Sequence, residues 1–296
     1  LWAMENNTLM DIVKSCYHAR KPMGQGMHRK AMDYFRQYMI VGGMPQAVLE
    51  YKKTHDFDKV DRIKRDILTL YRADIVKHAE GYEMKVSGIF DEIPAQLQKH
   101  EKKFKLSSLK KDARLREYED ALFWLDDAMI ANICYNSTEP NIGLKLNMNR
   151  LTLKCYMGDT GLLVSHAFSE SEISDGNLYK QILHDNLSLN EGMLFENAIA
   201  QCLVSNGYPL FFYTHYNNEK HRNDIEIDFV ISNGSKLKTK IYPIEVKSGK
   251  KYSITSLERF MDKFKNRIGN GYVIHPKNLS KKDNILYIPS YMTFCL

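Results

Sequence analysis

The feature that most constrains this chain is the stretch from Ile225 to Lys247, IEIDFVISNGSKLKTKIYPIEVK, in which apolar and polar residues alternate. The apolar positions of its first half are Ile225, Ile227, Phe229 and Ile231, and the intervening positions are Glu226, Asp228 and Val230. A period of two predicts a strand with one apolar face and one face that holds acids. Asn233-Gly234-Ser235 tolerates positive φ, so we expect a turn into a second strand, Lys240 to Lys247.

Three polar side chains of these two strands are expected at one edge of the predicted sheet. Glu245 and Lys247 are two residues apart and project from the same face, and strand pairing would bring Asp228 close to them. Two carboxylates, Asp228 and Glu245, suit Mg²⁺, which prefers hard oxygen ligands. A neighbouring lysine can orient an attacking water and stabilise charge that develops on a phosphate, as phosphodiester hydrolysis requires. The alternative is a half-solvated strand with an ordinary surface Glu-x-Lys pattern.

A fourth candidate, Glu196, lies on an upstream segment with helical spacing. Ser188 and Glu191 form a capping-box pattern, and the segment Glu191 to Leu203 follows with helical character. Glu196 shares a helical face with three apolar residues, Met193, Ala200 and Leu203. A carboxylate on an apolar face requires a partner, and a metal ion is one candidate. A helix cap accounts for Glu191, and a solvent-side strand position accounts for Glu226.

The composition is that of a globular protein. Of the 296 residues, 44% are hydrophobic and 26% are charged, which excludes an intrinsically disordered chain. The sequence contains no run near the roughly 18 apolar residues of a membrane span, and its start lacks the basic and apolar regions of a signal peptide. We therefore expect no association with membranes. The five cysteines are scattered without a Cys-x-x-Cys pair, so we expect reduced thiols in a cytoplasmic protein.

The positive charge is concentrated in one segment. Lys99 to Arg116 contains eight Lys or Arg residues against two acids, a local excess of six that equals the net charge of the whole chain. Clustered cations suit the phosphate backbone of nucleic acids. The charges themselves do not distinguish DNA from RNA, and DNA is the expected partner. We therefore predict nucleic-acid contacts from Lys102, Lys103, Lys105, Lys110, Lys111 and Arg114. The alternative is a solvated basic helix without a ligand.

Residues 1–79 are predicted to form a small helical bundle. Apolar residues recur at helical spacing in three groups: Leu9, Ile12, Val13 and Cys16; Ala31, Tyr34, Phe35 and Tyr38; and Ile63, Ile67, Leu70 and Tyr71. The sequence Gly42-Gly43-Met44-Pro45 breaks two of these helices, with Pro45 well placed to begin the next one. The chain contains no Gly-x-x-x-x-Gly-Lys-Ser/Thr sequence, so we expect no phosphate loop for ATP within it.

Residues 80–168 are predicted to form a winged-helix-like domain. The segment Val86 to Leu97 is amphipathic, Ser107 and Ser108 can cap a short basic helix, and Arg114 to Ile130 has the spacing of a longer helix. Two apolar strands follow, Met129 to Tyr135 and Leu151 to Met157. Helices followed by a hairpin are typical of winged helix-turn-helix domains, which set a helix in a DNA groove. A connecting domain without DNA contacts is the alternative.

The remaining chain is predicted to comprise a linker, residues 169–187, and an α/β domain, residues 188–296. The expected elements of this domain are a helix at 188–206, strands at 209–214, 225–231 and 240–247, a helix at 255–266, and strands near 272–275 and 285–288. This order favours a mixed sheet flanked by helices.

Several separated blocks resemble a group of bacterial and archaeal AAA+-type ATPases. They are MHRKAMDYFRQYMIVGGMPQAVLEY (27–51), ILTLYRADIVK (67–77), IPAQLQKHEKKFKLSSL (93–109), YEDALFWLDDAMI (118–130), KCYMGDTGLL (154–163), EGMLFENAIAQCL (191–203) and IEIDFVI with PIEVKSGK. The resemblance covers most of the chain. It implies a helical lid, a winged-helix-like segment and a domain similar to PD-(D/E)XK nucleases. It also implies that a P-loop ATPase core precedes this chain in a longer protein, as a partner domain that alone would bind ATP.

The same resemblance implies a catalytic set of Glu196, Asp228, Glu245 and Lys247, each matched by residue type and order. Ile227 stands where the motif has proline, which leaves the chemistry in place because the metal ligands are carboxylates. The expected function is therefore nucleic-acid binding and cleavage with Mg²⁺, in which Asp228 and Glu245 hold the metal. The alternative is a non-catalytic module that docks DNA or protein and regulates the ATPase.

Overall fold

The computed structural model describes residues 4–99, 102–168, 179, 191–219, 221–233, 240–249 and 251–296. These residues form helices and two mixed β-sheets, which confirms the expectation of a mixed α and β fold. They divide into two compact units: the first lies within Leu1–Asn6, Asp33–Ile133 and Lys154–Gln201, and the second within Asn7–Met32, Cys134–Leu153 and Cys202–Leu296. The predicted linker lies outside the described residues apart from Tyr179, and the predicted domain boundaries stay a prediction.

Helices dominate the N-terminal part of the chain. They are α1 (Asn7–Ala19), α2 (Gln25–Val41), α3 (Pro45–Thr54), α4 (Phe57–His78) and α5 (Glu83–Gln98). The apolar groups predicted from the sequence lie on α1, α2 and α4, and α3 begins with Pro45 in its first turn, as predicted. The later helices are α6 (Glu119–Asp127), α7 (Thr160–Ala167), α8 (Glu191–Ser205) and α9 (Thr255–Lys263), with short 3-10 helices at Leu106–Ser108, Leu115–Glu117, Leu144–Asn147 and Ser290–Cys295.

Two mixed sheets contain the strands of the described residues. The first consists of β1 (Ala131–Ser137), β2 (Met148–Met157), β3 (Phe211–Asn217) and β4 (Arg222–Ile227) in the order β2-β1-β3-β4. The second consists of β5 (Phe229–Asn233), β6 (Lys240–Val246), β7 (Gly271–His275), β8 (Ser280–Lys282) and β9 (Ile285–Pro289) in the order β5-β6-β7-β9-β8. Its central pairs, β6 with β7 and β7 with β9, are parallel, whereas β5 with β6 and β8 with β9 are antiparallel.

Helix α9 covers one face of the second sheet. Leu257 and Phe260 of α9 are fully buried, and they belong to one apolar cluster with Val230, Ile241, Val273 and Ile285 of the strands. Because strand residues alternate between faces, Glu245 and Lys247 project from the same face as Ile241. The α9 face is therefore apolar along most of its length and carries charged residues where β6 ends.

A close approach of chain segments organises the first unit around Gly42. This residue has φ of +79°, and a Cβ there would overlap the Asp159 carboxylate. Asp159 accepts a hydrogen bond from the Gly43 N–H at 2.6 Å and caps α7 by accepting from the Leu162 N–H at 2.9 Å. One carboxylate thus links the end of α2 to the start of α7, and the absence of a side chain at Gly42 makes the link possible.

Three predicted elements are wrong in extent or type. The strand predicted over 225–231 is interrupted at Asp228, where β4 ends and β5 begins. The helix predicted over 114–130 begins only at Glu119, after the 3-10 helix Leu115–Glu117. The short basic helix predicted after Ser107 and Ser108 is a single 3-10 turn, Leu106–Ser108. The other predicted strands lie within a few residues of observed ones, and β8 was not expected. The predicted turn at 233–235 lies largely outside the described residues.

Candidate functional site

Asp228 occupies the point at which the chain passes from one sheet to the other. Strand β4 pairs with β3, whereas β5 pairs with β6, and Asp228 separates the two strands. Its Oδ2 accepts a hydrogen bond of 2.8 Å from the Val246 N–H. The side chain at the interruption therefore replaces a strand-to-strand backbone contact and binds the end of β6.

The register of the second sheet brings the Asp228 carboxylate to Glu245. Phe229 pairs with Ile244 in the antiparallel ladder, so continuing the register by one residue places Asp228 opposite Glu245. The hydrogen bond from the Val246 N–H holds Asp228 against the peptide bond that follows Glu245. The structure thus brings together the two acids that the sequence predicted as a pair.

Lys247 contacts one member of this pair, Glu245, directly. Its Nζ donates to Glu245 Oε1 at 2.6 Å, and the Lys247 side chain is 24% exposed whereas that of Glu245 is 8% exposed. At this partly buried position the attraction between the two charges is stronger than in open solvent. The ammonium group of Lys247 thereby offsets part of the free-energy cost of burying the Glu245 carboxylate. Asp228, Glu245 and Lys247, hereafter the acid–lysine group, all lie in the second unit.

Glu196 lies in the first unit, on the buried face of α8. Its Oε1 accepts hydrogen bonds from the Tyr156 hydroxyl at 2.5 Å and from Lys154 Nζ at 3.2 Å, and its Oε2 forms a short ion pair with Lys102. Its side chain is 4% exposed. The partner that a buried carboxylate requires is therefore supplied by two lysines and a tyrosine of the same unit.

The charges around Glu196 keep its carboxyl ionised. Burial alone would raise the pKa of Glu196, but the ammonium groups of Lys102 and Lys154 outweigh burial, and hydrogen bonds from Lys102 and Tyr156 add to their effect. The pKa therefore lies well below its usual value of 4.5. Lys102, predicted to bind nucleic acid, has the predicted catalytic residue Glu196 as its ion-pair partner, and its predicted contact with phosphate stays a prediction.

The remaining basic residues of 102–116 lie on a loop that is hydrogen-bonded to Gln96 of α5. Gln96 of α5 is buried, and its Nε2 donates to Ser108 Oγ at 2.7 Å and to the Lys105 carbonyl at 3.4 Å. Lys103 is partly buried. The exposed cations of the predicted interface are Lys105, Lys110, Lys111 and Arg114. Their exposure leaves them accessible to a polyanion, while Gln96 fixes the loop at its base.

Two residues beside the acid–lysine group were not predicted from the sequence. Tyr252, between β6 and α9, has its hydroxyl 2.6 Å from Nδ1 of His275, which is the last residue of β7. His275 follows the alternation of the α9 face two residues after Val273, and this spacing is the signal that could have indicated it. The tyrosine stands in a loop, where no periodicity points to it.

The donor atoms of Asp228 and Glu245 are of the type that Mg²⁺ prefers, since carboxylate oxygens are hard ligands. Among the residues that the structure describes, no group of three His, Cys, Asp or Glu side chains is arranged to hold a metal ion. Asp228 and Glu245 would be the protein ligands of a metal ion at this site, with water and substrate oxygens completing its coordination. No helix in the described part of the chain combines the length and apolar composition of a membrane span.

Two family models match the chain. A model described as Domain of unknown function (DUF8612) matches residues 32–172, and a model described as Domain of unknown function (DUF4143) matches residues 191–291. Domains of the DUF4143 type, where they stand at the C-terminus of a protein, are typically associated with AAA-like ATPases. Comparison with curated proteins and with solved structures gave no match.

Proposed function

We propose that the chain is the C-terminal part of a cytoplasmic AAA+-type ATP-binding protein, and that its second unit binds nucleic acid and cleaves it with Mg²⁺. The observation that supports the proposal is the sheet register that sets Asp228 opposite Glu245, with Lys247 bonded to Glu245. In this proposal the second sheet and α9 form a PD-(D/E)XK-like domain. The helices and the β1–β2 hairpin of residues 80–168 form the winged-helix-like domain.

Each member of the acid–lysine group has a role in this chemistry. Asp228 and Glu245 would hold Mg²⁺, which supplies a water activated for attack and neutralises charge on the phosphate. The Val246 N–H orients the Asp228 carboxylate, so that this ligand is fixed before substrate binds. Lys247, which is partly exposed, would donate to a phosphate oxygen or to the attacking water.

The cations of the 102–116 loop would supply affinity for nucleic acid without reading sequence. Lys105, Lys110, Lys111 and Arg114 are exposed, and such side chains bind phosphates with release of counterions. We propose DNA as the nucleic acid, because a winged-helix-like domain is a typical DNA-binding fold. The upstream ATPase domain would be the protein partner.

A cleavage assay with matched variants tests the proposed activity. Asp228→Asn keeps an oxygen that can accept the Val246 N–H bond but removes the charge, and Lys247→Ala removes the ammonium. Both should reduce Mg²⁺-dependent cleavage of plasmid or single-stranded DNA by roughly a hundredfold or more. The controls are Asp262→Asn on the exposed side of α9 and Lys240→Ala at the other end of β6. Equal cleavage by Asp228→Asn and the wild type would refute the assignment.

A second candidate function is a docking module that regulates the ATPase without catalysis. It is favoured by the ion pairs of Glu196 with Lys102 and Lys154, which give one member of the predicted catalytic set a structural partnership in the first unit. A module that docks protein but not DNA predicts that neither Mg²⁺ nor DNA changes the melting temperature. A ligand at a hundredfold excess over its Kd should instead stabilise the protein by about 2.7 kcal/mol. A shift with DNA alone that salt abolishes would indicate binding without cleavage.

A further inference from the structure

The pair formed by Tyr252 and His275 suggests an additional residue of the proposed site. The Tyr252 hydroxyl lies 2.6 Å from His275 Nδ1, and the His275 side chain belongs to a residue that is 2% exposed. Tyr252 is half-buried and packs against the apolar cluster between the second sheet and α9. A hydroxyl fixed by a buried ring nitrogen has one defined direction in which to form a further hydrogen bond.

The register of the parallel strands places this pair beside Lys247. Val246 of β6 pairs with Ile274 of β7, and the Lys247 N–H donates to the Ile274 carbonyl at 2.8 Å. The ladder therefore continues so that Lys247 and His275 are neighbours. Residues paired in register project from the same face of a sheet, so His275 and Lys247 share the α9 face.

The chemistry of the two side chains allows the tyrosine hydroxyl to adapt to a ligand. Burial lowers the pKa of His275 to about 4 against the opposing effect of a hydrogen bond with the Asn278 backbone, so the imidazole is neutral near pH 7. A neutral imidazole can hold its proton on either nitrogen, and Nδ1 can therefore accept from Tyr252 or donate to it. Burial also raises the pKa of Tyr252 to about 12, which keeps its hydroxyl protonated.

We propose that Tyr252 is a nucleic-acid-binding residue whose hydroxyl donates to a phosphate oxygen, with His275 as the residue that positions it. When His275 Nδ1 donates to the tyrosine oxygen, the hydroxyl proton is directed outward, as an anionic oxygen requires. Lys247 on the neighbouring strand supplies the positive charge. This inference rests on the proposed function, because it assigns Tyr252 to the substrate of the same site.

Binding of a labelled DNA duplex to the full chain, without divalent metal so that no cleavage occurs, tests the proposal. Tyr252→Phe removes only the hydroxyl, and loss of a hydrogen bond to a charged oxygen should weaken binding roughly tenfold. Tyr242→Phe is the matched control, since Tyr242 lies on β6 but projects from the opposite face. His275→Asn retains a side chain that can donate to or accept from Tyr252 and should bind DNA nearly as the wild type does. His275→Leu should bind as weakly as Tyr252→Phe.

The outcomes separate this inference from the function on which it rests. If Lys247→Ala weakens DNA binding but Tyr252→Phe binds like Tyr242→Phe, the role of Tyr252 is refuted and the proposed function stands. If the wild type binds no DNA, both are refuted. If Tyr252→Phe lowers the melting temperature while the folded protein binds DNA with unchanged affinity, Tyr252 only stabilises the fold, and the inference is also overturned.

Discussion

The sequence around Glu196 predicts that its side chain is buried, but it does not predict the partners of the carboxylate. Its place on an apolar helical face indicates a buried carboxylate, and the structure shows it buried. Its partners were not predictable, because a metal ion and a pair of ammonium groups satisfy a carboxylate equally well. Lys102 and Lys154 are 94 and 42 residues away in sequence, so no local pattern connects them with Glu196. Its proposed catalytic role stays a prediction.

Glu196→Gln should destabilise the protein, because it leaves the ammonium groups of Lys102 and Lys154 close together without their counter-charge. Removal of one partner from a buried ion pair costs about 3–5 kcal/mol, which urea unfolding would measure. The control is Glu139→Gln at the surface, where the side chains of Glu139 and Arg267 are 53% and 43% exposed and such pairs contribute about 0–1 kcal/mol. Equal effects of the two substitutions would contradict the structural role of Glu196.

The pH dependence of stability supplies an independent check on the same carboxyl. Because the folded state lowers the pKa of Glu196 below 4.5, the stabilisation is complete above that pH and is lost as pH falls through the folded pKa. Wild type should therefore lose more unfolding free energy between pH 5 and about pH 2 than Glu196→Gln does. Parallel stability curves for the two proteins would show that Glu196 does not have a depressed pKa.

At the scale of whole elements, the alternation of Ile225–Ile231 predicted strand structure but not the partners of the two strands. It also placed Val230 on the face that holds the acids, whereas Val230 is buried in the apolar cluster beneath α9. A period of two reports which residues are apolar, and Ile225, Ile227, Phe229 and Ile231 are indeed buried. It cannot report that β4 pairs in one sheet and β5 in another, since both halves keep the same spacing. Periodicity located the acid–lysine group, and only the pairing revealed the interruption at Asp228.

The 102–116 segment illustrates the opposite case, in which Ser107 and Ser108 were interpreted as caps of a short basic helix that the structure does not contain. A dense run of cations indicates exposure, and most of these side chains are exposed. Exposure alone does not impose a helical period. The segment contains the start of one 3-10 turn, Leu115–Glu117, and all of another, Leu106–Ser108, which follows Lys105. Hydrogen bonds from Gln96 stabilise this turn, so its shape depends on a residue outside the charged run.

The junction between α2 and α7 should depend on Gly42 for two separable reasons, backbone conformation and space. Gly42→Ala places a methyl group against the Asp159 carboxylate in a residue with φ of +79°. Gly81 has a similar φ of +87° with nothing within 4 Å of its Cβ position, so Gly81→Ala measures the backbone cost alone, about 1 kcal/mol. Gly42→Ala should cost clearly more, roughly 3 kcal/mol, because Asp159 must move and loses its bonds to Gly43 and α7.

A third substitution calibrates this comparison. Gly26 lies in the first turn of α2 with no positive φ and nothing within 4 Å of its Cβ position. Gly26→Ala should leave stability unchanged or raise it by up to about 1 kcal/mol through the lower entropy of the unfolded chain. Unfolding free energies from urea titration rank the three variants. Equal losses at Gly42 and Gly81 would show that the contact with Asp159 does not hold the junction together.

At the scale of the whole molecule, the net charge of +6 and the positions of the charged residues determine how the protein should bind a polyanion. A modest net charge gives weak attraction over the entire surface, whereas a cluster of exposed cations concentrates phosphate contacts in one place. The exposure of this cluster was predictable from the sequence because lysine and arginine are rarely buried unless they are paired, as Lys154 is. The residues that anchor the cluster, Gln96 and Glu196, were not.

Neutralising the exposed cluster should therefore lower both DNA affinity and its dependence on salt. The variant with Lys105, Lys110, Lys111 and Arg114 each changed to Gln loses four positive charges; the control changes the four exposed lysines Lys53, Lys59, Lys281 and Lys282 to Gln. Both have the same net charge, so a difference between them reports position. Each lost phosphate contact should reduce the slope of log K against log salt by about 0.9, as fluorescence anisotropy between 50 and 200 mM salt would measure. Equal slopes for the two variants would place the DNA contacts outside the 102–116 segment, since overall charge alone would then account for binding.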